Sequence, residues 1–179
     1  LEDILVNKFS LSKNSEEYNK ILFILTKPEE ISSTLSEKRF ALQQAIKIKN
    51  KEIGLEQASK KLAKAYGWMP IFCYGDPWDY SYYQKELNNL LKKSLKQLKG
   101  EYIKLKEYKK IRNREVNSVI LKYKIGPRDL QKFIDFGLAL DARTEAEYFV
   151  SYAGFYLLPL SKEIAKRLHL SINQTRLLY

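Results

Sequence analysis

Apolar residues return every three or four positions along most of this chain, which is the spacing of one face of an α-helix. After Ser15-Glu16-Glu17, a helix-start pattern, Tyr18, Ile21, Leu22 and Leu25 keep that spacing until Lys27-Pro28. The residue before a proline is pushed out of the α region, so the helix is expected to end there. Pro28 followed by Glu29 and Glu30 reads as a new first turn, its acids at the positive end of the helix dipole. Another helix is expected after Ser36, with Phe40, Ala41, Ala45, Ile46 and Ile48 on one face, fading near Gly54. Leu55, Ala58, Leu62 and Ala65 predict a fourth, closed by Gly67. No stretch alternates as a strand does. The apolar run 69–74 could be extended, but Pro70 and Gly75 bound it and it has no evident partner.

Residues 79–124 read as one long helix, or two joined near Gly100. Leu91, Leu95, Leu98, Tyr102 and Leu105 follow a 4-3-4-3 spacing, which resumes at Val116, Val119 and Tyr123 after polar Lys109 and Arg112. Such a seam belongs to a helix lying against other helices. Ile125-Gly126-Pro127 is a stop and restart. Two further helices are expected over 127–140 and 142–168, with a break around Leu140-Asp141. The pattern as a whole predicts an all-α fold: a single helical domain over 1–179, with a basic helical arm or antiparallel helix pair at 91–124 and an aromatic loop. Both ends read as cuts within a longer polypeptide.

Charge sharpens this picture. The chain of 179 residues carries a formal net charge of +11. Residues 91–124 hold twelve Lys/Arg against three Asp/Glu, a net of +9, while the flanking segments are each near balance. A lone cysteine, Cys73, allows no internal disulfide and favours a reducing, cytoplasmic setting; between Phe72 and Tyr74 it reads as a small buried apolar residue. No apolar run reaches the eighteen or so residues that a membrane span needs, and no membrane partner is expected.

The densest chemistry lies in Tyr66-Gly67-Trp68-Met69-Pro70 and Gly75-Asp76-Pro77-Trp78, which hold both tryptophans, with Tyr80, Tyr82 and Tyr83 close behind. Stiff aromatics mixed with glycine and proline make a shaped loop whose rings, Tyr66, Trp68, Trp78 and Tyr82 among them, fill a core or face a partner. Catalytic signatures are missing: there is no phosphate-binding P-loop, no G-x-G-x-x-G, no G-x-S-x-G, no paired-cysteine spacing and no H-E-x-x-H. The one histidine, His169, reads as a polar residue near a helix C-terminus. No catalytic residue and no metal ligand is expected.

The basic segment leaves three readings open. Its lysines can be the solvated face of a long helix. They can bind nucleic acid, since Tyr102, Tyr108 and Tyr123 interleave with them. They can also bind an acidic partner or a phosphorylated ligand. Arg112-Asn113-Arg114 is the most suggestive point, because Arg112 falls on a core register where a guanidinium needs a partner. The stretch 163–171 has the apolar pattern of an opening helix-turn-helix, but His169 stands where the tight turn usually takes glycine. Residues 172–179 are too few and too apolar for a recognition helix.

Two segments together carry a family resemblance. Ala65-Tyr66-Gly67-Trp68-Met69-Pro70 with Gly75-Asp76-Pro77-Trp78 resembles the Tyr-Gly-Trp, then Gly-x-Pro-Trp stretch in the central helical region of phosphoenolpyruvate synthase-like, PEP-utilising proteins. Tyr156-Leu157-Leu158-Pro159-Leu160, then Glu163-Ile164-Ala165-Lys166-Arg167-Leu168 and Leu170-Ser171, resembles the end of that region, ahead of the phosphohistidine domain. Arg143 with Glu147 and Ser151 fits the helix leading into it. The resemblance spans about 55–85 and 128–179. It implies a connecting helical scaffold between an ATP-binding and a phosphohistidine domain, with neighbouring domains of the same polypeptide as partners. ATP and magnesium would then belong to the parent phosphotransferase. This sequence lacks the family's Gly-rich Thr-Ser…Ser-His segment, and His169 matches no catalytic position, so no catalytic residue carries over. The alternatives are a nucleic-acid-binding helical protein acting through 91–124, with Arg112 and Arg114 as contacts, or a protein–protein scaffold.

Overall fold

The computed structural model describes residues 1–179 apart from 2, 9, 14, 71–75 and 176–179, and apart from the side chains of 8 and 173. Among the described residues every regular element is a helix. After a π-helical turn, Ile4–Lys8, come α1 (Glu16–Thr26), α2 (Ser33–Lys49), α3 (Leu55–Tyr66), α4 (Tyr80–Leu91), α5 (Leu95–Lys106), α6 (Tyr108–Tyr123), α7 (Pro127–Leu168) and α8 (Ile172–Thr175). The chain forms two compact units, one of Leu1–Arg39 with Gly100–Thr144, the other of Phe40–Lys99 with Glu145–Tyr179.

In the first unit α1 packs on α6. Tyr18, Ile21 and Leu25 meet Val116, Val119, Ile125 and Phe133, and Ile4, Leu5 and Leu11 close the cluster. The helix start at Ser15 is as expected: its side chain accepts the Tyr18 N–H at 3.1 Å. Pro28 does not begin a helix. Residues 29–32 are irregular, and α2 starts at Ser33, with the Ser32 hydroxyl accepting from Leu35 N–H. Glu29 and Glu30 turn instead to Lys109, at 3.6 and 2.9 Å.

The expected long helix over 79–124 is three helices. The first break lies at 92–94, where Ser94 and Gln97 make a reciprocal cap: Gln97 N–H to the Ser94 hydroxyl at 3.2 Å, and Ser94 N–H to Gln97 Oε1 at 2.8 Å. Ser-x-x-Gln is a capping box, a signal the apolar seam conceals. Gly100 lies inside α5 and breaks nothing. The second break is at Glu107, φ −95° and ψ 17°. Beside it Tyr108 is buried and Lys109 exposed, while Val116 and Val119 keep their expected places on the buried side. The expected break at Leu140-Asp141 is absent, since α7 runs unbroken from Pro127 to Leu168. There the Thr144 hydroxyl bonds the Leu140 carbonyl at 3.0 Å and so stays within the helical ladder.

Three helices stop in the same way, with a left-handed residue that is not glycine: Lys51 (φ 61°), Lys124 (φ 49°) and His169 (φ 53°). After each, an N–H reaches back five residues, from Glu52 to Lys47, Ile125 to Ile120 and Leu170 to Ala165. This is the Schellman cap, which satisfies carbonyls the helix end leaves open. His169 therefore takes the conformation that the turn after Leu168 usually gives to glycine.

In the second unit α3 packs on α4 through Ala58, Leu62, Tyr83 and Leu87, all buried. Gly67 is needed for close approach rather than for a positive φ. The Trp78 N–H bonds its carbonyl at 2.9 Å, and a β-carbon there would stand 2.6 Å from the Trp78 carbonyl oxygen. Trp68 folds back on α3, its Nε1 donating to the Ala65 carbonyl at 2.8 Å, and is buried. Truncating Trp68 to alanine should cost about 3–5 kcal/mol, the range for emptying a large aromatic site. Chemical denaturation of the variant measures this, and an unchanged midpoint would mean that the ring is not part of the core.

Candidate functional site

The most built-up polar arrangement in the first unit surrounds the turn after α1. The chain leaves the helix at Lys27 (φ −61°, ψ 128°), which strands the carbonyls of the last turn. Tyr108, Arg112 and Glu115 lie at i, i+4 and i+7, on one face of α6, and all three reach this turn. The Arg112 Nε donates to the Lys27 carbonyl at 3.2 Å, and the Tyr108 hydroxyl donates to the Pro28 carbonyl at 2.9 Å. The Lys27 ammonium pairs with Glu115 at 3.1 Å and sits 5.2 Å from the centre of the Tyr108 ring. From the other side Gly137 of α7 lies so close that a β-carbon there would collide with the Thr26 carbonyl. Arg112, placed by the sequence on a core register in need of a partner, has one in a backbone oxygen and a second in Asn113 Oδ1 at 3.1 Å.

Two cavities adjoin this turn. One, about 220 Å³, is lined by Arg112 and Lys27 with Leu25, Pro28, Ile134 and Leu138. The other, about 250 Å³, is lined by Phe23, Lys27, Leu140, Asp141 and Thr144. Their walls are mainly apolar. Both cations are already engaged in holding the turn.

Much of the flank of α6 is neutralised within the unit. Besides Lys109, Lys122 pairs with Glu17 at 2.6 Å, and the Tyr123 hydroxyl donates to the same carboxylate. The Lys122 ammonium, then the Tyr123 hydroxyl, hold the Glu17 carboxyl below its ordinary range. Arg114 is exposed and without a partner among the described residues, and Arg143 is exposed on α7.

The aromatic residues divide into separate clusters within the second unit. Trp78 stacks on Tyr82 with centroids 4.4 Å apart and planes 9° from parallel, and meets Tyr83 edge-on at 6.2 Å. Tyr66 lies 6.0 Å from Phe40. Trp68 meets the edges of Tyr148 and Tyr152 at 5.8 and 5.5 Å, and Tyr152 meets Tyr156 at 4.9 Å. Sequence reasoning missed the Tyr148-Tyr152-Tyr156 ladder, although its i, i+4, i+8 spacing on one helix face was there to be read. Cys73 and most of the run 69–74 lie outside the described residues.

Among the described residues no group of His, Cys, Asp and Glu could hold a metal ion, and no helix is long and apolar enough to cross a membrane. Compared with protein-family models, curated proteins and solved structures, the chain matches none.

The turn yields two predictions. Burial raises the Tyr108 phenol above the ordinary tyrosine value of 10.0, with the Arg112 charge pulling the other way. The fold holds the neutral phenol, so its contribution is complete below pH ~10 and is lost as pH rises through the higher folded-state pKa. Tyr108→Phe should therefore lower stability by about 1 kcal/mol at neutral pH, by orphaning the Pro28 carbonyl. The difference from wild type should shrink above pH ~10, as denaturant titrations across that range would show. Gly137→Ala should cost about 1–3 kcal/mol, because the Thr26 backbone must move to admit the methyl group. An equally stable Gly137→Ala protein would remove the close approach from the account.

Proposed function

We propose that this chain is a non-catalytic helical scaffold, the central helical region of a phosphoenolpyruvate synthase-like phosphotransferase, standing between its ATP-binding and phosphohistidine domains. One observation carries the scaffold reading. Residues 148–161 of α7 bear no charge, yet Phe149, Val150, Tyr156, Leu157 and Leu160 are each more than half exposed. A contiguous apolar surface of this kind is a contact surface for another body. The resemblance supplies the partner, because Tyr156 to Leu160 belong to the stretch similar to that preceding the phosphohistidine domain. The catalytic histidine, ATP and magnesium would then sit in neighbouring domains. The residues here that could suggest chemistry have structural work instead: Arg112 holds a carbonyl, and His169 caps α7 in the left-handed region.

The coding sequence beyond residue 179 tests the family part of this reading. A Gly-rich segment with a Ser-His pair supports it, and an unrelated continuation overturns it. The chain by itself, given labelled phosphoenolpyruvate or ATP, should acquire no acid-labile phosphate. Stoichiometric label on His169 would overturn the scaffold reading.

A further inference from the structure

The helix α6 has two unlike sides. Its inner side carries Tyr108, Arg112, Glu115, Val116 and Val119 against the α1 turn and core. On the opposite side Lys110, Arg114, Asn117 and Leu121 recur at i, i+4, i+7 and i+11, all exposed, and Lys124 comes next in the cap. Lys110, Arg114 and Lys124 have no ion pair or side-chain hydrogen bond among the described residues. The helix contains a single acid, Glu115, and it is turned inward to Lys27. Leu121, at 78% exposure, is the most exposed large apolar side chain described, and it stands among these cations.

We propose that this outer face of α6 docks an acidic protein segment that presents an apolar side chain to Leu121. The proposal does not depend on the family reading. Charge complementarity gives the first reason: three cations unpaired among the described residues outnumber the one exposed acid at that end of the face, Glu107, and attract and orient carboxylates. The flank of the same helix shows the pairing already made, with Lys109 on Glu29 and Glu30, and Lys122 on Glu17. Leu121 gives the second, because an apolar anchor ringed by polar groups suits a protein contact. Nucleic acid fits less well. Single strands are held by stacking on exposed rings, whereas Tyr108 is buried with its hydroxyl on Pro28, and Tyr123 is bonded to Glu17 beneath the Lys122 ammonium. The outer face carries no aromatic residue.

The test compares three probes on the full chain at about 150 mM salt, where screening removes much of the non-specific attraction. They are a helical peptide with Glu and Leu on one face, a poly-glutamate of equal charge, and an oligothymidylate of equal charge. The Glu/Leu peptide should bind at least about tenfold more tightly than either other probe. Leu121→Ser should erase that preference, and Lys110→Glu/Arg114→Glu should abolish acidic-peptide binding while leaving the circular dichroism unchanged. These side chains are exposed and make no internal bond, so the variants keep the fold. Equal affinity for all three probes, tightest binding of the oligothymidylate, no peptide binding, or binding indifferent to the variants would each overturn the proposal.

Discussion

The first unit depends on how two consecutive carbonyls, those of Lys27 and Pro28, are met where α1 ends. A helix stopped by proline leaves oxygens with no intrahelical donor, and leaving such groups buried and unpaired costs about 1–3 kcal/mol each. Here Lys27 receives the Arg112 guanidinium, Pro28 receives the Tyr108 hydroxyl, and Thr26 lies against the bare backbone of Gly137. Two of these contacts come from one face of α6, so satisfying the turn also fixes the rotation of that helix. With that rotation set, Val116 and Val119 face α1, and Lys110, Arg114 and Leu121 must face away.

The second unit shows a related use of backbone proximity. Gly67 and Trp78 are joined by a backbone hydrogen bond too close for any β-carbon, and this closure sets the two tryptophans in different surroundings. Trp68 goes beneath Tyr148 and Tyr152, whereas Trp78 stacks on Tyr82. A glycine used for approach looks in sequence like a glycine used for a turn. The difference emerges only when the chain has returned to it.

The basic segment illustrates how net charge misleads when read alone. A net of +9 over 91–124 looks like one uniform surface. In the structure some of its cations hold carbonyls or carboxylates of their own unit, and others, on the outer side of α6, have no partner among the described residues. Exposed pairs of the first kind add little stability, but they decide which cations remain for a partner.

The sequence by itself determined that the fold is helical, where α1 begins and ends, that Arg112 would need a partner, and that Trp68 would fill a core or face a partner. These rest on local properties: 3.6-residue periodicity, a serine cap, a proline stop and the size of an indole. Tertiary structure alone decided much of the rest. Glu29 and Glu30, expected in a first helical turn, lie in an irregular segment and face Lys109, some eighty residues away. The division of 79–124 was by contrast written locally, in the Ser94–Gln97 capping box and the break at Glu107, and was hidden because an apolar seam constrains which face is buried but not whether the backbone beneath it is continuous. The continuity of α7 past Leu140, and the choice of Lys124 rather than Gly126 as the left-handed stop, were settled alike by where each backbone group found its hydrogen bond. Composition names the donors and acceptors available, and only the folded chain brings each pair within reach.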